Sequence, residues 1–288
     1  MHKILAKQLL SSTNNMNLYR GCTHGCIYCD SRSTWYQMNH DFEDVAVKIN
    51  APGLLEKILS NKRKCCMIGT GAMCATSLHI AKELKPTRKC LEIINRYNFG
   101  VGVLTKSDLV MRDIDLFESI NSKTKAVVQM TLTTFDDELC KKIEPNVCPT
   151  SSRIKVLQEM KKAGIPTMVW LDPFLPFIND TQQNIKNLLD VCLFVGVKGI
   201  MCFGIGVTLR DGNREYFYNQ LDKEFPGLSD CYRKKFGNAY EIWSPSHKEL
   251  FSLIEKTCTK YNILYKPQDC FDYLNRFEDK KSVQFELF

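Results

Sequence analysis

Tyr19-Arg20-Gly21-Cys22-Thr23-His24-Gly25-Cys26-Ile27-Tyr28-Cys29-Asp30 holds three cysteines in Cys-x3-Cys-x2-Cys spacing, directly after the run Met16–Tyr19. That run reads as a short buried strand, so the cysteines occupy the loop at its end. In a parallel α/β fold, chemistry gathers where strands end and helices begin. Reading outward, further short β-branched or aromatic runs follow at Cys65–Gly69, Phe99–Thr105, Lys125–Thr133, Pro166–Leu171 and Gly199–Phe203. Between them lie segments with apolar residues at i, i+3 and i+4: Leu54, Leu55, Ile58 and Leu59, then Leu116, Phe117 and Ile120, then Ile185, Leu188, Leu189 and Cys192. These are amphipathic helices by period, and the short runs are buried parallel strands. Six such units, starting about every 30–50 residues, suit an incomplete (β/α) barrel or an open doubly wound sheet.

After Phe203 the strand pattern fades. Residues 210–224, 228–236 and 246–261 read as helices, with turns at Pro226-Gly227 and Gly237-Asn238. The expected organisation is a barrel over residues 1–209 and a helical extension packed on it over 210–288, since no linker separates the two.

Composition narrows the class. The 288 residues are 44% hydrophobic and 25% charged, which excludes wholesale disorder. Net charge is +7, but 13 basic and 13 acidic residues lie from Arg210 onward, so the excess belongs to the first 209 residues. A basic C-terminal nucleic-acid arm is therefore not expected, and a DNA partner is admitted but not favoured. The apolar runs fall short of the ~20 residues a spanning helix needs. Met1–Leu10 lacks a long apolar core and a small-residue cleavage site, so the chain is expected in the cytoplasm. Fourteen cysteines in a long chain of that compartment are small hydrophobes or ligands rather than a disulfide framework.

Only Cys22, Cys26 and Cys29 have ligand-like spacing. Three thiolates on one tight loop can hold three irons of a [4Fe–4S] cubane, whereas full protein ligation takes four. The fourth iron would stay open to a small-molecule ligand, as in catalytic zinc sites. Gly21 and Gly25 would let the loop fold close around a bulky group. Zinc, the alternative, needs a fourth ligand, and His24 is too constrained within the loop to complete a tetrahedron.

The cysteine string resembles the signature of the radical S-adenosylmethionine (SAM) superfamily, in particular the branch that includes spore photoproduct lyase. Thr105-Lys106-Ser107-Asp108 with Arg112-Asp113, Lys142-Ile143-Glu144-Pro145, Pro173–Pro176 and Thr208-Leu209-Arg210-Asp211 agree with that branch. The likeness runs from about Met16 to Tyr240. It implies a partial (β/α)6 barrel, a [4Fe–4S] cluster on Cys22, Cys26 and Cys29, and SAM chelated at the open iron. It also implies a low-potential electron donor of flavodoxin or ferredoxin type as partner. One electron would cleave SAM to a 5′-deoxyadenosyl radical.

By the same resemblance Tyr28 sits where an aromatic residue neighbours adenine; a core tyrosine is the alternative. Gly69-Thr70-Gly71 would contact the SAM amino group. Thr105, Lys106 and Ser107 would meet its carboxylate or ribose, although Ser107 also suits a helix cap. The chain departs from the branch at Ala72–His79, beside this proposed site. Cys74 and Cys202 are candidate hydrogen-atom donors, against a plainer reading of both as buried hydrophobes. The basic runs at residues 61–64 and 233–235 read as solvated helix ends, and Tyr216–Tyr218 as packing aromatics. Three functions are weighed: a radical SAM enzyme of unknown substrate, a DNA-lesion repair enzyme similar to spore photoproduct lyase, and an iron–sulfur electron-transfer or sensor protein that does not use SAM.

Overall fold

The structure is a computed structural model that describes residues 1–71 and 86–280. The chain opens with β1 (His2–Ile4), β2 (Asn15–Met16), β3 (Tyr19–Arg20) and β4 (Ala46–Lys48), then α1 (Ala51–Asn61), β5 (Met67–Thr70) and α2 (Pro86–Arg96). It continues through β6 (Gly100–Thr105), α3 (Ile114–Lys123), β7 (Ala126–Thr131), α4 (Asp137–Ile143), α5 (Thr150–Lys162), β8 (Thr167–Trp170), α6 (Gln182–Val195) and β9 (Gly199–Met201).

Six strands form one sheet in the order β2-β5-β6-β7-β8-β9, every pair parallel. The order follows the chain without reversal. A doubly wound sheet needs a switch point where the order turns back. The architecture is therefore a partial (β/α)6 barrel, and each of the six sequence-read runs contributes residues to it.

Strand alternation sorts the two faces. Val101, Val103, Val128, Met130, Val169 and Ile200 point outward into the main core beneath the helices. Val127, Met168 and Met201 point inward, where Cys270 packs against them. Helical period does the same for the cover: Leu55 and Leu59 of α1, Phe117 and Ile120 of α3, and Leu188 and Cys192 of α6 are all buried. Ends are set by local chemistry, as where Thr181 Oγ1 accepts from Asn184 N at 3.1 Å to start α6 and Gly196 in the left-handed region stops it.

Two corrections follow. The run Met16–Tyr19 is not one strand: Asn15–Met16 joins the barrel, while Tyr19–Arg20 turns away and pairs antiparallel with β4 in a separate three-stranded sheet. The C-terminal part is not purely helical. β10 (Gly206–Thr208) and β11 (Glu241–Trp243) form an antiparallel pair around α7 (Asn213–Glu224) and α8 (Leu228–Phe236). Then α9 (His247–Lys260) buries Leu250, Ile254 and Cys258 in the main core. Leu264 makes a parallel bridge to Gly199, and α10 (Pro267–Asn275) closes the inner face. No described helix is long and apolar enough to cross a membrane.

Candidate functional site

The cysteine loop is held by three backbone anchors. Cys22 N donates to Phe42 O at 2.9 Å, Ile27 N to Ile143 O at 3.0 Å and Asn146 N to His24 O at 3.0 Å. Asn146 Nδ2 adds a bond to Thr23 O at 2.9 Å. Gly21 has φ +89°, and a Cβ there would meet Phe42 O at 2.5 Å. The glycine is thus required by the protein's own backbone, not only by a bound group.

Cys22 and Cys26 are buried, Cys29 is half-buried, and none is in a disulfide. His24 N donates to Cys22 Sγ at 3.5 Å. A tetrahedral zinc with bonds of ~2.3 Å would draw its sulfurs to within ~4 Å of each other. Among the described residues the one constellation with three ligand atoms within 4.8 Å is His2, His40 and Asp44, so the three thiols are spread wider than a single ion requires. A polynuclear cluster fits such a spread without the loop having to close up, as it would have to around a lone zinc.

Charge is arranged beneath the loop. Glu144 and Arg153 are both fully buried and paired at 2.5 Å. Tyr28 Oη donates to Glu144 Oε1. Arg153 also donates to Cys148 O at 3.0 Å and Thr131 O at 3.1 Å, tying the loop's support to the end of β7. Burial opposes ionisation of Glu144, but Arg153, Lys106 and the Tyr28 hydrogen bond outweigh it and hold the carboxyl below its ordinary value. Burial pushes the Cys26 thiol well up, with Lys106 opposing. Lys106 itself loses charge stability to burial yet is raised overall by Cys26 and Glu144. The arrangement suits thiolates that become anionic only when a metal takes the place of their protons.

The remaining sequence-selected residues fall as follows. Tyr28 is a buried residue whose hydroxyl is committed to Glu144, with Lys106 Nζ 5.8 Å from its ring centroid. Thr70, Thr105 and Lys106 end or follow β5 and β6, at the carboxyl edge of the sheet. Thr70 Oγ1 is buried and has no partner among the described residues. By contrast Thr105 Oγ1 accepts from Ser107 N at 3.0 Å, and Ser107 Oγ accepts from Leu109 N at 3.2 Å. Those two hydroxyls are serving the chain. A Cβ on Gly69 would strike Asn15 Oδ1 at 1.9 Å, and one on Gly71, at φ +100°, Leu104 O at 2.1 Å. Valine at Gly71 would strain the backbone before it reported on any ligand, while at Gly69 the exposed Asn15 side chain would have to swing aside. Cys74, with Ala72–His79, lies outside the described residues. Cys202 is buried with the outward-facing core, its Sγ 3.6 Å from Gly204 O.

Sequence reasoning missed three groups. Glu144 was noticed only as part of a motif, and Arg153 not at all. Asp172, just past β8, has its carboxyl pushed up to about 7 by burial, with Lys106 opposing. Its position after a strand was the available signal. Inside the barrel a cavity of about 400 Å³ is bounded by Asn15, Thr70, Gln129, Trp170 and, from α10, Phe271. Trp170 Nε1 donates to Gln129 Oε1 at 3.0 Å.

Comparison with known proteins agrees with this fold. A spore photoproduct lyase variant with bound AdoMet and dinucleoside spore photoproduct superposes with TM-score 0.59, at 15% identity over 85% of this chain and 72% of that one. The radical SAM methyltransferase TsrM from Kitasatospora setae, with tryptophan and a SAM analogue bound, gives TM-score 0.54 at 12% identity, covering 88% of this chain and 52% of that one. In sequence, an uncharacterized protein of Mycobacterium bovis is 26% identical over 266 residues, spanning 86% of this chain and 77% of the relative. One from Methanocaldococcus jannaschii is 32% identical over 188 residues, 62% of this chain and 70% of the relative. Residues 16–191 match the Radical SAM superfamily, a span that begins at the first barrel strand and contains the whole cysteine loop, and on that match the chain belongs to the radical SAM superfamily.

Proposed function

We propose that Cys22, Cys26 and Cys29 hold a [4Fe–4S] cluster with one open iron, and that the chain cleaves SAM reductively there to act on a substrate in the barrel cavity. When bound, the cluster supplies the electron that splits the sulfonium into methionine and a 5′-deoxyadenosyl radical. The observation that carries the reading is the loop itself: three thiols outside any disulfide, spread wider than one ion requires, beside the carboxyl edge of a parallel sheet. Within this reading Lys106 offsets the negative charge of the thiolates, and the Glu144–Arg153 pair keeps the loop rigid from below. The unpartnered Thr70 hydroxyl is the group on β5 that a bound SAM would engage. Phe271 and the rest of α10 shield the cavity from water. Residues 1–209 would carry the chemistry and 210–288 the extension.

A DNA-lesion substrate is a second reading, favoured by the likeness to a lyase with bound dinucleoside spore photoproduct. Placement of charge weighs against it. Lys62, Arg63 and Lys64 precede β5, so they lie at the amino end of the strand, opposite the thiol loop.

The test is anaerobic. Reconstituted, dithionite-reduced protein with SAM should release 5′-deoxyadenosine and methionine, and its reduced-cluster resonance should change on adding SAM. A cluster that ignores SAM and yields no deoxyadenosine would sink the enzyme reading and favour an electron-transfer or sensor role.

A further inference from the structure

Away from the thiol loop, one residue of β1 and two of the loop that precedes β4 converge on one point. His2 of β1, His40 and Asp44 each offer one ligand atom, all within 4.8 Å of one another, and all three are half-buried. His2 Nδ1 lies 2.8 Å from Asp44 Oδ2, and the His2 and His40 rings meet edge-on with centroids 4.9 Å apart. Asp44 Oδ1 is held by the Met1 amino group at 2.5 Å.

His40 supplies an independent sign. Its Nδ1 is 3.0 Å from Asp41 O. A carbonyl only accepts, so Nδ1 carries the hydrogen and Nε2 of the neutral ring carries the lone pair. That Nε2 is buried and has no hydrogen-bond partner among the described residues. A buried basic nitrogen without a donor is costly, unless something electrophilic fills the gap.

We propose that His2, His40 and Asp44 bind a divalent transition ion of the zinc class, separate from the iron–sulfur site. Two imidazoles and a carboxylate are the donor set that such borderline ions select over magnesium or calcium. The ion replaces the proton shared by His2 Nδ1 and Asp44 Oδ2, and His40 Nε2 closes on it, leaving one position for water. Bonds of ~2.1 Å put tetrahedral ligands ~3.4 Å apart, so on loading the His2–Asp44 pair opens from 2.8 Å while His40 draws in.

The consequence reaches the thiol loop. His40 and Asp44 flank Phe42, whose carbonyl accepts from Cys22 N. The ion therefore clamps β1 to the segment that anchors the first cluster ligand.

Cobalt tests this, because its visible spectrum separates nitrogen and oxygen ligands from thiolates. Untagged, iron-loaded protein is mixed anaerobically with Co2+ and desalted. The wild type should retain one Co2+ per chain, with weak d–d bands, no thiolate charge-transfer band and unchanged iron. His2→Gln and His40→Gln should each weaken retention at least ~10-fold, with circular dichroism and iron content as in the wild type. Equal retention by both variants, a thiolate charge-transfer band on the bound cobalt, or no retention by the wild type would each overturn the site.

Discussion

Two arginine–carboxylate clusters in this molecule use the same chemistry at opposite depths. Under the cysteine loop, Arg153 and Glu144 are fully buried at 2.5 Å. On the outside of the barrel Arg88 pairs with Asp115 at 2.7 Å and with Asp113 at 3.2 Å, Arg112 reaches Asp113 at 2.6 Å, and Asp115 is 58% exposed. Water screens the Arg88–Asp115 pair, which is worth at most about 1 kcal/mol, whereas Asp113 is buried beneath two arginines that stay partly exposed. The inner pair has lost its hydration and is tolerated only because every charge is answered, by Tyr28, by two backbone carbonyls and by its partner. Burial turns an ion pair from an ornament of the surface into a constraint on the loop above it.

The largest effect should come from the loop itself. Cys26→Ala is expected to abolish iron binding and deoxyadenosine release together, while Cys258→Ala or Cys192→Ala, both buried far along the chain, should keep their iron. Iron analysis after anaerobic reconstitution checks this. Equal iron in Cys26→Ala and wild type would remove the loop from the site and empty the comparison of function.

Next comes the pair beneath. Arg153→Met strands a buried carboxylate and should cost about 3–5 kcal/mol in urea unfolding. Glu144→Leu combined with Arg153→Met should recover a large part of that loss, because neither charge is then left alone. If the double variant is no better than the single, the cost lies in packing and the contrast drawn above is wrong.

Asp172 sharpens the same point through pH. Its folded carboxyl is raised to about 7, so the folded state holds the proton that the unfolded state has already released. Its contribution to stability therefore falls as pH rises from about 4 to about 7, and above that window the protein carries a desolvated carboxylate. Asp172→Asn should leave stability near pH 4 almost unchanged and raise it at pH 8, by an amount on the order of 1 kcal/mol once partial exposure is discounted. Urea midpoints at the two pH values measure it, and an equal change at both would refute the assignment. The smallest effect should be Asp115→Ala, below about 1 kcal/mol and vanishing in 1 M salt, where screening reaches ~3 Å.

How much of this could be read from the chain alone depends on distance along it. Most of the barrel strands were legible because stretches such as Val101–Leu104 and Ala126–Val128 are short apolar, β-branched runs with helical spacing between them. The cysteine loop was legible because all its ligands lie within one turn. What failed was non-local. Tyr19 looks like an extension of the Met16 strand until Val47 and Ala46 draw it into another sheet. Gly206–Thr208 is three residues long and its partner is 33 residues away, too little for any period to register. Arg153 reads as one more charge on a helix, since nothing local distinguishes a guanidinium facing solvent from one facing Glu144. Gly69 and Gly71 show a second constraint that position alone does not carry: a Cβ there would meet Asn15 Oδ1 and Leu104 O.

The hydrogen bond from Tyr28 to Glu144 spans 116 residues. At the usual 5–20 residues per second, a ribosome takes roughly 6–23 s to make the second partner after the first. For that interval the three thiols have been synthesised but Ile143, Glu144, Asn146 and Arg153 have not, so the loop has no floor. Metallation during that interval would meet thiols open to the sulfenic and disulfide chemistry that exposed cysteines undergo. For the proposed cluster, assembly in the cell would then have a natural order: the floor first, the iron second.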